Sequence, residues 1–333
     1  MTARLLDDYD AVLLDLDGTV FRGGELVPGA AETLGRVRAA GTAIRFVTNN
    51  ASRSPRQVAD HLRDMGLPAS PEEVRTSAQA GAAVLAERLP AGANVLVVGT
   101  DALRDEVRAQ GLNPVRNQAD DPVAVVQGHS PDTAWRDLAE ACLAIRAGAL
   151  WVACNVDPTL PSERGELPGS GAMVAALRTA TGGTPIVAGK PERGLLAQAA
   201  AGAQRALVVG DRLDTDIAGA AAAGMDCLLV LTGVTTPAAA LAAAKDHRFQ
   251  YLAADLEALL RPADEVRIGT ATGWRAGLDG DALHLHAEPG GDVVAALRAL
   301  CGTWWAEKAG PVPVIPADDI SRDAVERLGL SGR

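Results

Sequence analysis

The stretch Ala11-Val12-Leu13-Leu14-Asp15-Leu16-Asp17-Gly18-Thr19 decides how this chain is read. Its apolar run predicts a strand from Asp10 to Leu16, and two carboxylates one residue apart, Asp15 and Asp17, leave that strand together. Gly18 then permits an unusual backbone angle and exposes amides. In an open parallel sheet, the carboxyl ends of the strands form the ligand crevice. A carboxylate placed there can act as a covalent nucleophile. A second one nearby can protonate a leaving oxygen and later activate water. Both would repel an anionic substrate, so the pair calls for a divalent cation close by.

Three further segments stand at predicted strand ends. Val47-Thr48-Asn49-Asn50 offers the Thr48 hydroxyl, the Asn49 amide and a backbone N–H, donors suited to phosphoryl oxygens. Gly189-Lys190-Pro191-Glu192 places a flexible point charge, Lys190, before a Pro-initiated helix. Gly210-Asp211-Arg212-Leu213-Asp214-Thr215-Asp216 empties an apolar strand into an acidic loop. Its hard oxygens suit magnesium, which prefers carboxylate, carbonyl and water ligands. Taken singly, an Asp-x-Asp turn, a lysine before proline or an acidic helix start is ordinary surface chemistry. Their order along one chain is the specific signal, because each supplies a group that a phosphoryl site needs.

Working outward, apolar runs alternate with helical patterns, which is the α/β signature. Strands are expected at Ala43 to Thr48, Asn94 to Val98, Val123 to Gln127, Ala149 to Ala153, Arg205 to Val209 and Asp226 to Leu231. Helices are expected after Pro28 and Pro55, at Ala102 to Ala109, Asp132 to Ala147, Gly171 to Thr181, Glu192 to Ala201 and Thr215 to Ala223. Ser70-Pro71-Glu72-Glu73 carries a capping-box pattern. The pattern restarts near Ala91, so a second α/β unit is inserted into the first. The expected organisation is a Rossmann-like parallel-sheet core at 1–80 and 185–262, an α/β cap at 81–184, and a small α+β extension at 263–333.

Composition narrows the function classes. A net charge of −11 argues against a nucleic-acid scaffold, which needs a basic face. No run is long and apolar enough to span a bilayer, and the N-terminus lacks a signal-peptide pattern, so no membrane role and a cytoplasmic location are expected. Cys142, Cys154, Cys227 and Cys301 are scattered without a Cys-x-x-Cys pair, which suggests neither a disulfide framework nor a zinc site.

These motifs identify a resemblance to the haloacid-dehalogenase-superfamily phosphatases. More narrowly, the chain resembles the capped branch containing phosphoglycolate, nucleotide, pyridoxal-phosphate and glycerol 3-phosphate phosphatases. The resemblance rests on Asp15 through Gly23 with Val27-Pro28-Gly29-Ala30, on Val47 through Asn50, on Gly189-Lys190-Pro191 and on Gly210 through Asp216. It covers residues 8 to 260. It implies Asp15 as nucleophile and Asp17 as general acid/base. It implies Mg2+ on the Asp15 side chain, the Asp17 carbonyl and Asp211, with Asp216 holding metal-bound water and Asp214 assisting. Thr48, Asn49 and Lys190 would bind the transferring phosphoryl group. The implied partner is a small phosphorylated metabolite, glycerol 3-phosphate first, with phosphoglycolate, sugar phosphates and nucleoside monophosphates as alternatives. A non-catalytic phosphometabolite sensor and a phosphotransferase to alcohols are the competing classes.

Specificity is expected in the cap, from Gln127-Gly128-His129-Ser130, Asn155-Val156-Asp157 and Pro168-Gly169-Ser170-Gly171. The first of these departs from the family's more usual apolar-Gly-Leu-Asp. The bland reading of Asn155 and Asp157 is that they stabilise their long loop. Past Ala263 the resemblance ends. Short strands are expected at Val266 to Ala271 and Ala282 to His286, and helices at Asp292 to Leu300 and Asp323 to Leu328. This pattern resembles part of an acetyltransferase-like fold without a Gly-rich pyrophosphate loop, so no acyl transfer is expected. The candidate roles of the tail are shielding the core, supporting a homo-oligomer or sensing a ligand. His284 and His286 are expected to be ordinary strand residues, and Trp304-Trp305 to pack on the tail's strands.

Overall fold

The computed structural model describes residues 3–162, 164–270 and 272–331. The chain divides into two compact units, Met1–Ile44 with Gly202–Arg333, and Arg45–Ala201.

The first unit is built on parallel strands in the order Tyr251–Ala253, Asp226–Val230, Ala206–Gly210, Ala11–Leu14. All four residues of Ala11–Leu14 are buried, as expected of a strand covered on both faces. Leu14 lies opposite Val209, so Asp15 and Asp211 follow neighbouring strand ends. The Asp15 N–H donates to Val209 O at 2.9 Å, which extends the ladder to the carboxylate itself. Strand Ala43–Thr48 begins in this unit, where the Ala43 N–H donates to Asp10 O, and continues into the second.

In the second unit that strand pairs in parallel with Val74–Thr76. A separate five-stranded parallel sheet runs Ile186–Val187, Leu150–Ala153, Ala124–Gln127, Asn94–Val98, Asn113–Val115. Its core packs Leu96, Val125, Trp151, Val174 and Leu177 together. Helix Pro55–Asp64 starts where Ser54 and Gln57 cap each other reciprocally, with proline at its first position. The second capping pattern behaves differently. Ser70 N–H does reach Glu73, but only one short turn, Pro71–Glu73, follows before strand Val74–Thr76, and the helix begins at Ser77. β-branched Val74 and Thr76 favour the edge pairing with Phe46 and Thr48 over helix continuation. The expected long loop from Asn155 to Ser170 holds an antiparallel hairpin, Thr159–Ser162 with Gly165–Pro168.

The C-terminal segment of the first unit pairs Trp274–Asp279 antiparallel with Ala282–Ala287, and the latter parallel with Val314–Pro316. Helices Val293–Glu307 and Asp319–Arg327 accompany them. The strand expected at Val266 to Ala271 is displaced: Ala263–Val266 is a short helix, Ala271 lies outside the described residues, and pairing starts at Trp274. Gly269 and Gly273 both sit at positive φ, a conformation outside extended strand backbone. Trp305 also reaches beyond the tail. Its indole ring meets Phe249 edge-on and its N–H donates to Leu241 O. Among the described residues no helix is long and apolar enough to cross a membrane.

Candidate active site

The turn after strand Ala11–Leu14 is wound tightly. Leu16 O accepts N–H bonds from Thr19, Val20 and Phe21, and the Gly18 N–H returns to Phe21 O at 2.8 Å. Gly18 sits at φ +86, and a Cβ there would stand 2.5 Å from an Asp211 carboxylate oxygen. Glycine is therefore required twice over, by conformation and by the close approach of Asp211. Asp15 is half-buried and Asp17 exposed.

Asp15, Asp211 and Asp216 each offer a carboxylate oxygen, all within 4.8 Å of one another, and among the described residues this is the cluster fit to hold a metal ion. Asp211 is fully buried and Asp216 is 1% exposed. Three hard oxygen donors at that separation suit magnesium. Neutral donors help to orient Asp211 and Asp216. Asp211 accepts the Val234 N–H at 2.6 Å and the Thr19 hydroxyl at 3.4 Å. The Asp211 carbonyl accepts the Thr235 N–H at 3.1 Å. Asp216 accepts the Arg212 N–H at 3.1 Å. Asp214 is placed elsewhere: it takes two bonds from the Arg212 guanidinium, which holds its carboxyl below the usual range.

The segment Thr232-Gly233-Val234-Thr235 was not singled out from the sequence. It follows strand Asp226–Val230 and wraps Asp211, while the Thr232 hydroxyl donates to Gly18 O at 2.5 Å. The signal that could have found it is a Thr-Gly pair at the end of a third neighbouring buried strand.

In the second unit Thr48 is 5% exposed, and its hydroxyl accepts the Asn50 N–H. The Asn49 side chain is consumed by protein contacts. Its Oδ1 accepts the Lys190 N–H at 2.8 Å, and its Nδ2 donates to Lys190 O at 3.0 Å and to Asp157 at 3.2 Å. Asn49 O accepts from Ser77 Oγ and from Asn155 Nδ2 at 2.6 Å. The structure thus joins Asn49, Lys190, Asn155 and Asp157 in one network and gives the Asn49 side chain a bracing task. Lys190 is 2% exposed, and its ammonium donates to Val47 O at 3.2 Å. Gly189 is held so close to Cys154 O and Asn49 Oδ1 that a Cβ would stand 2.5 and 2.6 Å from them.

Of the expected specificity residues, Gln127 is fully buried, accepts the Trp151 indole N–H at 3.2 Å and leaves its Nε2 without a partner. Ser170 opens helix Ser170–Thr181 and is 3% exposed, with an unpartnered hydroxyl. His129 lies beside Ser52, whose hydroxyl donates to His129 O at 2.7 Å. Burial lowers the His129 pKa. Among the described residues His284 and His286 join no metal-capable cluster.

A family profile for haloacid dehalogenase-like hydrolases matches residues 12–113, and a second, HAD-hydrolase-like, matches 187–259. The D-glycerol 3-phosphate phosphatase of Mycobacterium tuberculosis is 48% identical, over 98% of this chain and 96% of that protein. The chain belongs to the haloacid dehalogenase-like hydrolases. Both profiles fall on the motif-bearing segments of this hydrolase. A profile for a GCN5-related N-acetyltransferase like domain matches residues 271–330, the segment holding the three-stranded sheet. A 5'-nucleotidase of Bacillus subtilis is 39% identical over 68% of the chain and 89% of its own length. The crystal structure of glycerol phosphate phosphatase from M. tuberculosis in complex with magnesium superposes with a TM-score of 0.95 at 49% identity. It covers 99% of this chain and all of that one (100%).

Proposed function

We propose that this hydrolase is a magnesium-dependent phosphatase of small phosphate monoesters, with glycerol 3-phosphate as its substrate. The observation that carries the reading is the convergence of the Asp15, Asp211 and Asp216 carboxylates at the ends of neighbouring parallel strands. Near-full-length similarity to a glycerol 3-phosphate phosphatase supports the substrate.

Asp15 is the nucleophile. Its carboxylate attacks phosphorus and forms an aspartyl phosphate as the ester oxygen leaves. Asp17, the solvent-exposed member of the pair, gives that oxygen its proton, so glycerol departs neutral. The Asp17 carboxylate then takes a proton from water, which attacks the acyl phosphate, restores Asp15 and releases inorganic phosphate. Asp15, Asp211 and the Asp17 carbonyl would hold a magnesium ion, with Asp216 contributing from beside them. When bound, the ion supplies charge neutralisation at the phosphoryl oxygens. Thr48, the Asn49 backbone N–H and Lys190 keep the phosphoryl-binding roles that the family resemblance gives them.

A core at 1–80 and 185–262 with a cap at 81–184 is the domain assignment we adopt. It is supported by the five-stranded sheet, which draws four of its strands from residues 94–153, while the fifth, Ile186–Val187, lies just past the cap's boundary. A cytoplasmic location agrees with four unpaired cysteines.

The test is phosphate release from a panel of esters, with and without magnesium, comparing the wild type with Asp15→Asn. Magnesium-dependent release that is fastest on glycerol 3-phosphate, and lost by about 10⁴-fold or more in the variant, is expected. Undiminished release by Asp15→Asn would refute the covalent mechanism. No release from a folded, magnesium-loaded wild type would favour the sensor reading.

A further inference from the structure

We infer that the C-terminal extension serves the phosphatase site, with Trp305 as a positioning residue that steadies the loop gripping Asp211. The inference rests on the reading of Asp211 as a magnesium ligand.

The chain of contacts begins at Asp211, whose carboxylate and carbonyl accept the amides of Val234 and Thr235. The next residue, Thr236, caps helix Pro237–Leu241, its hydroxyl accepting the Ala239 N–H at 3.2 Å. Nothing but that cap separates the gripping amides from the helix. A helix of five residues has little stability of its own, because nucleation is unfavourable and few bonds follow it. Its last carbonyls also lack partners within the helix.

The extension supplies what the short helix lacks. Helix Val293–Glu307 packs against it. The Trp305 indole N–H donates to Leu241 O at 2.9 Å and so satisfies a carbonyl in its last turn. Leu241 is 2% exposed, so water is a poor substitute for that donor. Trp305 is itself held from two further sides. Phe249 meets its ring edge-on, with centroids 4.9 Å apart at 80°. The Arg248 guanidinium lies 5.4 Å from the ring and donates to Trp305 O at 2.8 Å and Lys308 O at 2.6 Å. Those two carbonyls belong to the C-terminal end of helix Val293–Glu307. The extension and the Asp211 loop are therefore joined through one indole hydrogen bond backed by a fixed aromatic cluster.

The experiment compares the wild type with Trp305→Phe, which keeps a ring in the cluster and removes only the donor, and with Trp305→Ala. Magnesium affinity is measured by calorimetry on metal-free protein, amide exchange at Val234 by mass spectrometry, and folding by thermal melts. For Trp305→Phe we expect a roughly fivefold weaker magnesium affinity, about 1 kcal/mol, with faster exchange at Val234. At saturating magnesium, kcat and KM for glycerol 3-phosphate should stay within about twofold of wild type, because the defect lies in holding the ligand loop. A merely structural tryptophan would lower the melting temperature and leave both the affinity and the Val234 exchange untouched, and that result in folded Trp305→Phe overturns the inference. If Trp305→Ala does not fold, the phenylalanine variant alone decides. A wild type that binds no magnesium would overturn the metal reading first, an outcome distinct from a wild type that binds and a variant that binds equally well.

Discussion

Replacing Gly233 by alanine should weaken magnesium binding while leaving the protein folded. Gly233 is not among the glycines at positive φ, so alanine is compatible with its backbone. The obstacle is space. An added Cβ would stand 2.8 Å from the Asp211 Cβ and nearer still to its carboxylate. Ordinary contact needs about 3.4–4.0 Å, so the carboxylate or the loop must shift by about 1 Å. Magnesium tolerates little of this, since its oxygen ligands sit near 2.0–2.1 Å in near-octahedral geometry. Disturbing the groups that orient a metal ligand costs about 10–100-fold in affinity, or roughly 1.4–2.7 kcal/mol. The fold itself should lose less. Overpacking costs about 1–3 kcal/mol, offset by roughly 0.4–1 kcal/mol from the stiffer unfolded chain. Calorimetry of magnesium binding, alongside urea unfolding without metal, separates the two effects. Gly24→Ala is the control, because a Cβ there meets nothing within 4 Å. A folded Gly233→Ala protein with magnesium affinity within about twofold of wild type would falsify the assignment of Asp211 as a ligand held by this loop.

Asn49→Ala strands the Lys190 N–H and removes the tie to Asp157, so unfolding free energy should fall by about 2–4 kcal/mol in urea titrations and kcat should fall with it. Burial pushes the Cys154 and Cys227 thiols up to about 12 and the Cys301 thiol higher. Native protein at pH 8 should therefore take iodoacetamide first at the half-buried Cys142, and rapid labelling of the other three by mass spectrometry would contradict the packing. The His129 pKa lies below its ordinary value of 6.5 because burial disfavours the imidazolium. As pH falls below about 6.5 the unfolded chain takes that proton before the folded one, so stability falls with pH until the folded pKa is passed. His129→Gln should flatten this slope in melts between pH 5 and 7, and an unchanged slope would assign it to other groups.

The chemistry-bearing segments were legible because each carboxylate follows directly on an apolar strand, so strand and ligand are read in one glance. Asp15 and Asp211 are of this kind, whereas Asp216 lies on the short helical turn Leu213–Ile217 that follows. Spacing alone does not say which way a turn points its side chains, as Asp214 shows. The Arg212 backbone N–H holds Asp216, while the Arg212 guanidinium turns outward and draws Asp214 with it. Asn49 shows the same limit from another direction. Its type suits an oxygen-binding donor, but its amide is spent on Lys190 and Asp157, residues more than a hundred positions away. Gly233 and Trp305 lay beyond local pattern altogether, since a glycine's reason is the atom that approaches it and an indole's partner is set by tertiary packing.

The electrostatics of the cluster explain why so acidic a chain handles an anion. Two carboxylate charges no more than 4.8 Å apart repel by about 3 kcal/mol or more at an effective dielectric of 20, and three such groups form three pairs. The neutral donors from Val234, Thr19 and Arg212 each return about 1.5–3 kcal/mol at most and do so mainly by fixing direction. These neutral hydrogen bonds orient the carboxylates, and a magnesium ion bound among them would add positive charge at the cluster. A phosphoryl group would meet that positive charge, and the net charge of −11 spread over the rest of the protein is screened from it beyond about 8 Å. A local excess of negative charge is thus a site suited to its opposite, and the loop from Thr232 to Thr235 orients Asp211 within it.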